Sequence, residues 1–262
     1  MHKKFKITVL GCGTSVGVPS LGKLGWGSCN PNNIKNKRQR CSVLVQTNDT
    51  NILIDAGPDI RNQLLPLDIK KIDAVLITHT HSDHIAGIDD LRVFYWVEKQ
   101  KIPIYASKKH LNDLITRFPY LFEKDPESPT YFFPPFKSVE IIHENTFLIN
   151  DIEIKTLYQI HGSSFSYGFI FNDKFGYSTD LNDMPENNYK HLFKIPIWIV
   201  ESLRETPHQA HAHFDLTFDW IKKIKPQTAY LTHLSMDSDY DELLKLCPKN
   251  VKPAYDGMVL EI

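Results

Sequence analysis

Cysteine is scarce in this sequence: Cys12, Cys29, Cys41 and Cys247 are the only four in 262 residues, and no two of them form a C-x-x-C pair. A disulfide framework and a zinc ribbon are thereby excluded, and a reducing compartment is expected. An excess of either charge is also missing. Thirty Lys plus Arg stand against thirty-one Asp plus Glu, so no global field draws the chain onto nucleic acid or anionic lipid, and only a local basic patch could do so. The longest apolar run, near Ile195 to Val200, is far short of the roughly 18 residues that cross a bilayer. The start MHKKFKITVLGCG opens like a signal peptide, but its apolar stretch runs only from Ile7 to Leu10 before glycine interrupts it. The expectation is a soluble, cytoplasmic protein without a membrane partner. No repeat, low-complexity tract or linker divides the sequence, which predicts one domain over residues 1–262.

What is present is an ordinary globular composition, 42% apolar and 11% aromatic, with short β-rich runs spread along the chain. Strands are predicted over Phe5 to Leu10, Cys41 to Val45, Asn51 to Asp55, Asp73 to Thr78, Ile152 to Ile160, Tyr167 to Phe171, Ile195 to Val200 and Thr228 to Thr232. Several are almost continuously apolar, as in sheets covered on both faces. Helices are predicted over Pro58 to Leu65 and over Asp215 to Lys225, where Leu216, Trp220, Ile221 and Ile224 fall on one stripe. Sheets in the middle and helices outside make an α/β architecture. Residues 110–137 differ in holding seven aromatics and five prolines. They read either as a proline-stiffened excursion whose rings complete the core or a dimer contact, or as a lid that stacks on a substrate.

The twelve histidines are unevenly placed. His79, His81, Asp83 and His84 crowd into THTHSDH directly after the apolar run DAVLIT. Such crowding leaves mutually repelling, desolvated groups unless a cation binds them, and histidine is the commonest protein ligand for zinc and related metals. Alternation sets His79 and His81 on one side, while the turn at Asp83 and His84 directs two more ligands toward a neighbouring metal. Four ligands do not close two sites, so more are expected at later strand ends. His161 after KTLYQI, Asp180 after FGYST and His233 after TAYL occupy such positions.

THTHSDH, followed in order by His161, Asp180 and His233, resembles the metallo-β-lactamase superfamily, whose H-x-H-x-D-H signature is highly specific. The resemblance implies a four-layer αββα sandwich over nearly the whole chain and a dinuclear metal site. It further implies that His79, His81 and His161 hold one metal, that Asp83, His84 and His233 hold the other, and that Asp180 bridges them. Asp55, in LIDAG, matches the early Asp that supports the metal loop without ligating, fixing an imidazole tautomer. The stretches ILIDAGPDIRNQLL, RQRCSVLV, HAHFDLTFDWI, YLTHLS, PAYDGMVLEI and GCGTSVGVPSLG are similar to the phosphodiesterase branch, which includes phosphoribosyl cyclic phosphate phosphodiesterases and, more distantly, tRNase Z. The implied activity is hydrolysis of a small cyclic phosphate or nucleotide phosphodiester by a hydroxide bridging two divalent cations. Zinc suits the His-rich sites, and manganese is compatible with Asp83 and Asp180. His213 matches the histidine that this branch places just before its penultimate helix and, with Asp83, is the expected catalytic residue; His211 is a near alternative. A purely local role for HAHFD, with Asp215 as a helix cap, is the plainer account. His191 and His208 read as surface residues.

The run KNKRQR, Lys35 to Arg40, reads as a solvated face, or as a place from which Arg38 or Arg40 reaches a phosphate or braces the site. GCGTSVG lacks the endings and spacing of a Walker or dinucleotide fingerprint and reads as a tight turn near the metals. A small phosphodiester is the expected partner, and a homodimer is compatible with the sequence. Nucleic acid is disfavoured by the charge balance and by the lack of a long Gly/Pro-rich arm of the tRNase Z kind. The alternatives are a tRNase Z-like or exonuclease-type ribonuclease, signalled by salt-sensitive oligonucleotide binding, and a non-catalytic or redox member of the fold. The di-iron electron carriers that resemble this family have Glu where His81 stands, and a binding module should have lost ligands that are all kept here.

Relatives in the phosphodiesterase branch carry a cysteine-rich insertion that holds an extra structural zinc. Here that stretch reads SLGKLGWGSCNPNN, and Cys29 stands alone in it; a closed structural site needs four N or S ligands. Two metals per chain are therefore predicted, and Cys29→Ser should leave the metal content unchanged. A third, cysteine-ligated metal in elemental analysis would refute this.

Overall fold

The computed structural model describes residues 4–124, 126, 127 and 129–262. The first half of the chain supplies β1 (Lys6–Gly11), β2 (Ser42–Gln46), β3 (Asn51–Ile54), β4 (Ala74–Leu76), β5 (Ile102–Ala106) and β6 (Phe136–Glu140). The second half supplies β7 (Thr146–Ile149), β8 (Ile152–His161), β9 (Ser164–Phe171), β10 (Phe175–Ser178), β11 (Ile197–Glu201), β12 (Thr228–Thr232) and β13 (Val251–Pro253). A last strand, β14 (Val259–Glu261), returns to pair with β1. Two seven-stranded sheets result, in the orders β14-β1-β2-β3-β4-β5-β6 and β13-β12-β11-β10-β9-β8-β7.

Strand periodicity sends alternate residues into two different cores. Val43, Val45, Ile52, Ile54 and Leu76 of the first sheet meet Ile154, Phe169, Phe171, Tyr177 and Ile199 of the second, forming the core between the sheets. Leu44, Leu53 and Val75 face the other way. They are covered by α1 (Ile60–Leu64), α2 (Ser82–Ile85), α3 (Arg92–Glu98), α4 (Lys108–Arg117) and α5 (Pro119–Phe122). On the far side Trp198, Val200, Ala229 and Leu231 lie under α6 (Glu186–Leu192), α7 (Phe214–Ile224) and α8 (Tyr240–Leu246). The layers are helix, sheet, sheet, helix: an αββα sandwich. Among the described residues no helix is long and apolar enough to cross a membrane.

The apolar runs of the sequence correspond to β1–β4, β8, β9, β11 and β12; the interior strand β5 was missed although three of its five residues are buried, and β6, β7, β13 and β14 carried no such signal. All four are edge strands, and an edge strand such as β6 or β7 exposes most of its side chains. Helix α1 starts at Ile60, two residues later than expected, and a 3-10 turn continues it to Leu67. Helix α7 starts at Phe214, so His213 stands at the N-cap and Asp215 lies inside the first turn. Within residues 110–137, Leu111, Leu114, Leu121, Phe122 and Phe136 enter the core beneath the helices of the first sheet, while Tyr131 and Phe133 are exposed. Residues 125 and 128 of that stretch lie outside the described residues.

The basic run is not a uniformly solvated face. Lys35 lies over the Tyr240 ring, Arg40 pairs with Asp59 at 3.0 Å, and Arg38 is 2% exposed. The Arg38 guanidinium donates to the carbonyls of Ser235 (2.9 Å) and Ser238 (2.7 Å) and to Asn36 Oδ1 (3.2 Å), tying the loop after β1 to the segment after β12. Removing it strands two buried carbonyls, at about 1–3 kcal/mol each. Arg38→Ala should therefore destabilise the protein by roughly 2–4 kcal/mol, and an unshifted urea midpoint would contradict the bracing role.

Candidate metal centre

The sheet ends carry the clustered histidines. His79 follows β4, His81 caps α2, and Asp83 and His84 lie within that helix. From the second sheet, His161 closes β8, Asp180 follows β10 by two residues, and His233 directly follows β12. Asp55, Asp180 and His233, each just past a strand, have positive φ of 60°, 56° and 56°. Non-glycine residues held there cost on the order of 1–3 kcal/mol each, a local strain that turns three side chains toward a common point. Gly57 allows the closest approach: a Cβ there would lie 2.0 Å from the Asp83 carbonyl oxygen, so only glycine lets the α2 loop seat against the end of β3.

Three donor groupings result. Ligand atoms of His79, His81, His161 and Asp180 lie within 4.8 Å of one another, and so do those of Asp83, His84, Asp180 and His233 and those of Asp180, Glu201, His211 and His233. Asp180 belongs to all three. His84 Nε2 stands 3.1 Å from Asp180 Oδ2 and 3.2 Å from Asp83 Oδ2, while the Nε2 atoms of His233, His79 and His161 stand 3.5, 3.8 and 3.8 Å from Asp180 Oδ1.

Four of the five rings are held from behind. His84 Nδ1–H donates to Asp55 (2.7 Å) and His161 Nδ1–H to the Ala210 carbonyl (2.7 Å). His79 Nδ1 lies 3.1 Å from the Thr78 hydroxyl, which itself donates to Asp55, and His233 Nδ1 lies 3.0 Å from Glu201. These supports leave the Nε2 lone pairs facing inward. The Nε2 atoms of His79, His84 and His233 are buried without a hydrogen-bond partner despite the nearby carboxylates. A divalent cation is the partner that fits, because nitrogen and carboxylate donors in this number suit zinc or manganese.

The electrostatics point the same way. Burial, with help from neighbouring His84, holds His79 well below the ordinary imidazole range, and burial and His161 lower His81, so both offer neutral lone pairs. Burial alone would raise Asp180, yet His233, His84 and His79 outweigh it and keep the carboxylate ionised. Burial likewise opposes charge on His84 and His233. Asp180 and Asp83 nevertheless hold His84 well above its usual range, and Asp180 and Glu201 push His233 up to about 9. Both rings bind protons that an incoming cation would displace.

The structure thus brings together His79, His81, Asp83, His84, His161, Asp180 and His233, with fully buried Asp55 behind them. His213 caps α7 and belongs to none of the donor groupings, in keeping with its reading as a non-ligand. The histidine that reaches the cluster is His211: its Nδ1 lies 2.6 Å from Glu201 Oε1, and its ring centroid lies 4.8 Å from those of both His233 and His161. Glu201 was missed in the sequence although a signal existed, since it closes the apolar strand IPIWIV at the same strand-end position as the ligands. Asp180→Ala should lower the metal content and abolish the drop in thermal midpoint that a chelator causes in the wild type, because a bound ion stabilises only the folded state. A variant that keeps both metals and the full chelator response would refute the shared role of Asp180.

Known proteins agree with this geometry. Residues 50–234 match the β-lactamase superfamily domain. An octanoyltransferase of Porphyromonas gingivalis is 33% identical over 197 residues, which cover 75% of this chain and 39% of that protein. A ribonuclease Z of Treponema pallidum is 31% identical over 107 residues, 40% of this chain and 29% of that one. The chain therefore spans well under half the length of either curated relative. Among solved structures, a diphosphatase of the PhnP family superposes with a TM-score of 0.89 at 31% identity, covering 99% of this chain and 97% of its own. With the αββα sandwich and the shared carboxylate in place, the chain belongs to the β-lactamase superfamily.

Proposed function

We propose that this protein hydrolyses a phosphodiester bond in a small anionic substrate, a cyclic phosphate being the compact case. Two divalent cations, zinc before manganese, would be held by His79, His81 and His161 and by Asp83, His84 and His233, with Asp180 shared. The observation that carries this reading is the set of donor groupings around one carboxylate, with buried imidazole nitrogens left unpaired. Bound there, the cations would acidify water and neutralise charge on the phosphoryl oxygens.

The chain's own residues do the rest. Asp83, partly exposed beside His84, is placed to orient the attacking water. His211 gives Nδ1–H to Glu201, which leaves Nε2 for the leaving oxygen. His211 acts as the imidazolium: as the bond from water to phosphorus forms and the ester P–O bond breaks, the water releases a proton to solvent, and His211 keeps Nδ1–H on Glu201 while its second proton passes from Nε2 to the departing alkoxide. Likeness over the whole chain to a PhnP-family diphosphatase and over part of it to a ribonuclease Z supports phosphoryl chemistry. The net charge of −1 favours a small substrate over a polyanion.

His211→Ala should keep both metals and lose kcat on a 2′,3′-cyclic nucleotide by about 10²–10⁴-fold, with a much smaller effect of His213→Ala. The reverse ranking would return the catalytic role to His213. A higher kcat/KM for precursor tRNA than for the cyclic nucleotide would replace the small-substrate reading with a ribonuclease.

A further inference from the structure

Of the five clustered rings, only His81 lacks a support of its own. Among the described residues its ring meets one nitrogen at hydrogen-bond distance, His161 Nε2, which lies 3.3 Å from His81 Nδ1. It is also the exposed member of its donor grouping. A ring free to swing must be ordered when a cation binds, at a cost in affinity. What restrains His81 is its backbone. Thr78 and Thr80 alternate with the ligands His79 and His81. Thr78 is tied inside the sandwich: its amide and hydroxyl each donate to Asp55 at 2.8 Å, and its carbonyl accepts the Tyr167 amide at 2.9 Å. Thr80 is tied from outside, by α4. Its hydroxyl donates to Asp113 Oδ2 at 2.9 Å, and its carbonyl accepts Arg117 Nη1–H at 2.7 Å. That carbonyl belongs to the planar peptide unit leading into His81, so Arg117 fixes the plane from which the His81 side chain departs. On the far side the His81 carbonyl accepts the His84 amide at 3.0 Å. Thr80 is only 7% exposed, so water is a poor substitute for either contact. Helix α4 itself is anchored: Ser107 Oγ accepts the His110 amide at 3.2 Å, and Leu111 and Leu114 are buried in the core. Asp113 and Arg117, one turn apart, share a face beside that anchor.

We propose that Asp113 and Arg117 are positioning residues for His81, a clamp from the outer helix that sets how tightly His79, His81 and His161 hold their cation. The proposal rests on the metal assignment made under the phosphodiesterase reading. It goes beyond that reading by giving α4, at the head of the aromatic and proline-rich segment, a role at the cluster that is neither lid nor core filling. The clamp should act on one metal position only. At the other, Asp83 and His84 lie within α2, His84 is tied to Asp55, and His233 is tied to Glu201. None of those supports passes through Thr80.

The test is chelator titration of the zinc-loaded full chain, with the released zinc counted at each step. The wild type should give up two ions in two steps. Thr80→Val removes the hydroxyl at nearly constant shape, and Asp113→Ala removes its acceptor. Each should weaken one step by about 10–100-fold, the usual cost of losing a support behind a metal ligand, and leave the other step unchanged. Arg117→Ala should weaken the same step. Thr80→Ser and Asp113→Asn keep a hydroxyl and an acceptor, and both should hold the wild-type affinity. Combining Thr80→Val with Asp113→Ala should be no worse than either alone, because both remove one bond. Variants that release zinc as the wild type does, that weaken both steps alike, or whose losses add in the double variant overturn the clamp and leave the metal assignment standing. A wild type that holds no zinc at the cluster overturns the metal assignment and the clamp together.

Discussion

One buried carboxylate organises the end of this molecule. Asp180 is 1% exposed, and four imidazoles direct Nε2 atoms toward its two oxygens at 3.1–3.8 Å. An ionised carboxylate in such a place is tolerable only because positive charge surrounds it. The carboxylate in turn raises His84 and His233 above the ordinary imidazole range, against the effect of burial. The rest of the cluster follows from keeping those rings in orientation.

That orientation is built from layers behind the ligands. Asp55 holds His84 directly and His79 through Thr78, while Glu201 holds His233 and His211 and accepts the Leu181 amide. Asp55 ends a strand of one sheet and Glu201 ends a strand of the other. Each sheet therefore contributes one buried carboxylate that fixes tautomers, and Asp180 stands between them. Loops further out depend on similar contacts. Arg38 fastens the segment after β12, and the Asp256 carboxylate, which burial pushes up to about 7, accepts the amides of Cys12 and Gln39 beside it.

Much of this was legible in the sequence, for a specific reason. A ligand that must sit at a strand end leaves a local mark, an apolar run stopped by His or Asp, and His79, His161, Asp180 and His233 all carry it. Both-face burial likewise leaves continuous apolar runs, which is why β2, β3, β4 and β11 could be read and the edge strands β6 and β7 could not. The sequence placed His213 ahead of His211, whereas the structure sets His211 against Glu201, His161 and His233, since residues two apart differ only in which way a loop turns before α7. Nor could the sequence tell that Arg38, one of four cations in a six-residue run, is buried against carbonyls that lie some two hundred positions away. Local pattern determined which donors cluster and how the layers stack, because both depend on backbone periodicity. The approach of His211 to the cluster, its contact with Glu201 and the bracing by Arg38 were decided by tertiary structure, because each depends on contacts between segments that no local spacing relates.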